Sequence, residues 1–153
     1  MNLDRRWWVA LIIAVAAVIA LVLSQTVFRG TSEECKPVVE LLDFNRAQAK
    51  LISSKTSDED APAVPSQAEE IAYQAWADGL AERAQKVTEP ELASSAVKVA
   101  DLASQFVGKL SQVRAETAAR APGAPAPPVV YEMSALNDRI TTELATLSKA
   151  CEK

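Results

Sequence analysis

The side chains best equipped for covalent chemistry in this sequence are two cysteines, Cys35 and Cys151, which would close a loop of about 115 residues if joined. Active dithiols usually sit close together as Cys-x-x-Cys, so a pair this far apart reads as a structural staple rather than a redox centre. Cys35 also lacks the surroundings of a lipid-attachment site, because Ser32-Glu33-Glu34 is charged where such a site is small and apolar. Histidine is absent from all 153 residues, which removes Ser-His and Cys-His nucleophile pairs and the commonest nitrogen ligand of zinc. The 4 glycines are isolated at positions 30, 79, 108 and 123, so there is no phosphate-cradling loop. Carboxylates do cluster, as Glu69-Glu70 and Asp58-Glu59-Asp60. General acid–base catalysis is one reading of them; helix caps and solubilising charge are the simpler one. The sequence thus predicts no catalytic, cofactor or metal site and a protein that is not an enzyme.

The residues around those cysteines are organised by the stretch from Trp7 to Phe28. It holds no charge over about 22 residues, and at about 1.5 Å per residue that is long enough to cross a bilayer as one helix. Trp7 and Trp8 at one end, with Phe28 and Arg29 at the other, have the character of interfacial anchors. Ala16 and Ala20, with Ala14 and Ala17, offer a small-residue face for close packing against other helices in lipid. A cleavable secretory signal starting at Asp4-Arg5-Arg6 is the competing reading, and a twin-arginine export signal is a third. The length of the apolar run and its aromatic flanks favour a retained anchor. The basic-residue bias across the span is slight, so orientation rests on the cysteines: an oxidised pair belongs outside the cytoplasm. The sequence therefore predicts residues 1–6 in the cytoplasm, 7–28 as a single-pass helix in the cell (inner) membrane, 29–36 as a membrane-proximal bridge and 37–151 as a periplasmic or extracytoplasmic domain.

Composition makes that domain helical. Only 4 of 153 residues are glycine and 5% are aromatic, while alanine, leucine and glutamate abound. The net charge is -4, and because Asp4, Arg5 and Arg6 give the first 28 residues +1, the rest of the chain carries -5. Such a domain is unsuited to nucleic acid or to an anionic lipid surface as its main partner. Apolar spacing of three and four predicts helices at about 37–52, 67–87, 89–120 and 130–150, with loops at 53–66 and 121–128. The first carries Leu41, Leu42, Ala49 and Ile52, broadened by Phe44 and Leu51. Ser66-Gln67-Ala68-Glu69 is a capping box opening the second, whose stripe is Tyr73, Trp76, Leu80, Ala84 and Val87. Thr88-Glu89-Pro90-Glu91 repeats the capping signal, with Val87 and Leu92 placed as a hydrophobic staple.

The third helix is the most regular. Leu92, Val99, Phe106 and Val113 recur every seven residues, and Ala96, Ala103 and Leu110 interleave with them. This seam suits an internal core, with an intermolecular coiled coil as the alternative. The tract Ala121 to Pro128, reading APGAPAPP, ends the helix as a stiff connector or, alternatively, a docking ligand for an aromatic groove. The last helix carries Met133, Leu136, Ile140, Leu144 and Leu147. In an up-down-up-down four-helix bundle the start of the first helix and the end of the fourth share one end, which brings Cys35 within reach of Cys151.

The alanine-rich helices, the APGAPAPP tract and the Arg5-Arg6-Trp7-Trp8 anchor resemble those of small single-pass envelope proteins of actinobacteria, some of which are accessory subunits of membrane machines such as Mce-type lipid transporters. Phage inner-membrane spanins share the outline of signal anchor, extracytoplasmic helical region and late cysteine, but the tight capped hairpin near Thr88 and the early Cys35 fit a compact bundle better than an extended rod. Neither resemblance assigns a role to a particular residue here. The expected function is that of an accessory or structural subunit of a larger cell-envelope membrane complex, such as a transporter. The alternatives are a module binding a lipid or other apolar ligand, and a coiled-coil tether.

Overall fold

The computed structural model describes residues 32–56, 66–121 and 124–152. A 3-10 turn, Glu33–Cys35, runs directly into α1, Lys36–Thr56; α2 is Gln67–Ala84, α3 is Pro90–Gly108, α4 is Leu110–Ala118 and α5 is Pro128–Cys151. Among the described residues the regular structure is all helical, in four rods of which the third comprises α3 and α4, with one disulfide joining Cys35 to Cys151. The expected anchor, with Trp7, Trp8, Ala16, Ala20, Phe28 and Arg29, lies outside the described residues. Among the described residues, no helix is long and apolar enough to cross a membrane.

Local chemistry sets the helix starts. At Ser66 the capping box is closed in both directions: the Glu69 N–H donates to Ser66 Oγ at 3.2 Å, and the Ser66 N–H donates to Glu69 Oε2 at 2.6 Å. The start of α3 departs from the expected pattern. Glu89, not Thr88, is the cap, its carboxylate accepting from the Leu92 N–H at 2.7 Å, and Pro90 fills the first turn, where its missing N–H leaves no orphan donor. Pro128 opens α5 in the same way, two residues before the expected start.

Other bounds also shift for identifiable reasons. Helix α1 runs past Ile52 to Thr56, and the hydroxyls of Ser53 and Ser54 donate to the carbonyls of Lys50 and Leu51 within that last stretch. Helix α2 stops at Ala84, after which the Lys86 and Val87 N–H groups bond back only three residues, to Arg83 and Ala84. The expected 89–120 helix is interrupted at Lys109, whose N–H donates to the Phe106 carbonyl at 3.1 Å. Gly108, a weak helix former, immediately precedes the break.

Each rod gives the core at least one large aliphatic side chain with almost no exposure: Leu41 from α1, Leu80 from α2, Leu102 from α3 and Leu147 from α5. Neighbouring rods are antiparallel. Residues rising through α3 and α4 meet residues falling through their partners: Lys98 pairs with Glu143 and Lys109 with Glu132 on α5, while Phe106 packs on Trp76 and Arg114 pairs with Glu70 on α2. These ion pairs are partly exposed, and each stabilises by only about 0.2–1 kcal/mol. They accompany the packing rather than drive it.

At Gly79 the Phe44 side chain of α1 lies directly against the α2 backbone. A Cβ there would stand 2.1 Å from Phe44 Cζ, so the missing side chain is what lets the Phe44 ring sit on the α2 backbone. The Arg83 guanidinium lies over the ring, its Cζ 3.8 Å from the ring centroid, and its Nη1 donates to the Gly79 carbonyl at 3.0 Å. Gly79→Ala should displace Phe44 and lower the unfolding free energy by about 1–2 kcal/mol in denaturant titration, despite alanine's better helix propensity. The loss should shrink in a Phe44→Leu background. Reducing the Cys35–Cys151 bond, which spans 116 positions in sequence, should cost about 4–5 kcal/mol in the same assay.

Candidate functional site

Cys35 and Cys151 stand with their Cα atoms 5.6 Å apart, which joins the first helical turn of the bundle to its last. Cys35 is buried and Cys151 half-buried. The carboxylates singled out as possible acid–base groups have structural partners: Glu69 closes the α2 cap and Glu70 pairs with Arg114. Asp58, Glu59 and Asp60 lie outside the described residues. Among the described residues, no group of three or more cysteines or carboxylates is placed to hold a metal ion.

The α3–α4 seam faces inward. Ala96, Val99, Ala103, Leu110 and Val113 are buried, and Leu92 and Phe106 are half-buried. Leu102 and Val107 are buried as well, so the apolar face is wider than two heptad rows, because the rod packs against both α2 and α5. Leu51, expected to broaden the α1 stripe, is instead 50% exposed, one residue and thus about 100° around the helix from buried Ile52.

The concavity of interest is a cleft of about 310 Å³ between α1 and α5. Asn45, Ala49, Ile52 and Ser53 form the α1 wall, and Asn137, Ile140, Thr141 and Leu144 form the α5 wall. Its floor is an aromatic cluster from α2 and α3. Trp76 meets Phe106 edge-on at 6.2 Å between ring centroids and Tyr73 edge-on at 6.3 Å, while Tyr73 and Phe106 are tilted at 5.5 Å. The Trp76 Nε1–H donates to Asn45 Oδ1 at 2.9 Å, which satisfies the buried indole and fixes α1 against α2. Trp76 and Tyr73 belong to the stripe visible in the sequence, and Phe106 to the seam. Asn45 escapes a reading of the sequence, since nothing in its local spacing marks it as the indole's partner.

Burial lifts the Tyr73 hydroxyl above the ordinary tyrosine value of 10.0, and the nearby Glu69 carboxylate adds to the rise. The folded state therefore holds this proton more tightly than the unfolded chain does. The resulting stabilisation is fully present below the unfolded value near 10 and is lost as pH rises through the higher folded value. In a Tyr131→Phe background, where Tyr73 is the remaining tyrosine, absorbance at 295 nm should show it ionising above 10.0. Tyr73→Phe should remove that part of the alkaline loss of stability.

Neither a family model, nor a curated protein, nor a solved structure matches this chain.

Proposed function

We propose that this protein is a non-enzymatic, single-pass membrane protein whose residues 7–28 anchor an extracytoplasmic, disulfide-closed helical bundle, and that it acts as an accessory or structural subunit of a larger cell-envelope membrane complex such as a lipid transporter. The observation that carries this reading is the Cys35–Cys151 bond. A disulfide of this kind persists in an oxidising compartment, and it begins seven positions after Phe28, at the end of the uncharged stretch. The bond fastens the bundle's last turn to the point where the chain would leave the bilayer, so a rigid body rather than a loose tail stands at the membrane.

A subunit role also accords with the absence of histidine and with carboxylates engaged in caps and ion pairs. The tether alternative needs a free coiled-coil face, whereas Ala96, Val99 and Ala103 are fully buried inside the bundle.

Cross-linking of the full-length protein in intact membranes, followed by mass spectrometry, should return one large integral-membrane partner in stoichiometric amount. Ala16→Leu with Ala20→Leu should keep the protein in the membrane and reduce that recovery about tenfold, since bulk on this face blocks close helix approach. Recovery as a monomer, release by alkaline carbonate, or unchanged co-purification of the double variant would each refute the proposal.

A further inference from the structure

The seam between α1 and α5 is closed covalently at one end by Cys35–Cys151, while farther along it the two walls stand apart over the aromatic floor. Tyr73 and Phe106 remain half-buried there although they are among the bulkiest groups of the bundle. The rim is polar without charge: among the described residues lining the cleft, none is ionised at neutral pH. Thr141 Oγ1 donates to the Asn137 carbonyl of its own helix at 2.9 Å and retains acceptor capacity. Asn45 accepts from Trp76 through Oδ1, so its Nδ2 is the donor it can offer to a bound group.

Size and charge narrow what fits. A dry cavity of about 150 Å³ holds one benzene, so this cleft accommodates about 12 non-hydrogen atoms, one short chain with a small head but not a diacyl lipid. No described lining residue offers a counter-charge, so an ionised head gains no ion pair from the lining, whereas an uncharged head can hydrogen-bond to Asn45, Asn137 and Thr141. We propose that the cleft between α1 and α5 is a binding site for an uncharged single-chain amphiphile, with its hydrocarbon on the Tyr73–Trp76–Phe106 floor and its hydroxyl, ester or amide head at Asn45, Asn137 and Thr141. The site lies wholly within the bundle and does not depend on the anchor.

The test uses the full-length chain in phospholipid nanodiscs, with Trp7→Phe and Trp8→Phe so that Trp76 is the remaining tryptophan and reports from the floor. Titration with 1-decanol should give a saturable change in Trp76 emission. Ala49→Phe, at an exposed wall position, should weaken binding at least tenfold while circular dichroism and Tm are retained. Thr141→Phe, exposed on the opposite wall, provides a second variant with the same expected loss should the first not fold. Decanoate and decyltrimethylammonium should each bind at least tenfold more weakly than 1-decanol. A non-saturating response, undiminished binding in a folded wall variant, or equal affinity for the charged chains would overturn the proposal.

Discussion

The bond between Cys35 and Cys151 makes neighbours of the two helices that lie farthest apart in sequence, and the rest of the bundle is arranged around that closure. Each of the two middle rods packs on the one before it and the one after it, as consecutive antiparallel rods do. Between α1 and α5 there is no direct chain connection, and their shared interface is the least extensive around the ring. The disulfide supplies there what chain continuity supplies elsewhere. It does so at one end, which is why the opposite part of the same seam can part over an aromatic floor without the bundle coming undone.

Legibility in the sequence tracks the range of the interaction. The Ser66–Glu69 box is readable directly, because all its groups lie within one helical turn. The Trp76–Leu80–Ala84 stripe is equally plain, as is the seven-residue spacing on the third rod, whose inward direction only the packing decides. The break at Lys109 is hidden because Leu110 and Val113 keep the apolar rhythm after it, and only Gly108 hints that the backbone ladder is locally weak. Exposure of Leu51 and the Glu89 cap turn on a rotation or a register of one residue, finer than a spacing pattern resolves. Phe44 on Gly79, Asn45 with Trp76 and the cleft itself require helices from distant parts of the chain to be set at a particular rotation. No local motif encodes that. The uncharged stretch 7–28 is the reverse case, strongly marked in sequence and outside the described residues.

With 3 tryptophans, 2 tyrosines and 3 phenylalanines in 153 residues, the chain places its aromatic groups sparingly. Trp7, Trp8 and Phe28 flank the uncharged stretch; Phe44, Tyr73, Trp76 and Phe106 gather where α1, α2 and α3 meet. Elsewhere the core is made of alanine, valine and leucine, whose small volumes let helices approach closely but provide few distinctive contacts. The aromatic region is therefore where polar specificity is concentrated as well: the indole–amide bond, the guanidinium on Phe44 and the half-buried phenol all fall within it.

The one-residue interruption at Lys109 divides the third rod in time as well as in space. Helix α4 has nine residues, too few to persist as a helix in water by itself, and it is held mainly by the burial of Leu110 and Val113. Helix α3 is twice as long and contributes Ala96, Val99, Leu102 and Ala103 to the core. A rod with a continuous ladder would tend to open as one cooperative unit, whereas this one has a ready-made boundary. Helix α4 can therefore open and reclose while α3 keeps its place, and the bundle has a point of local opening that does not require global unfolding.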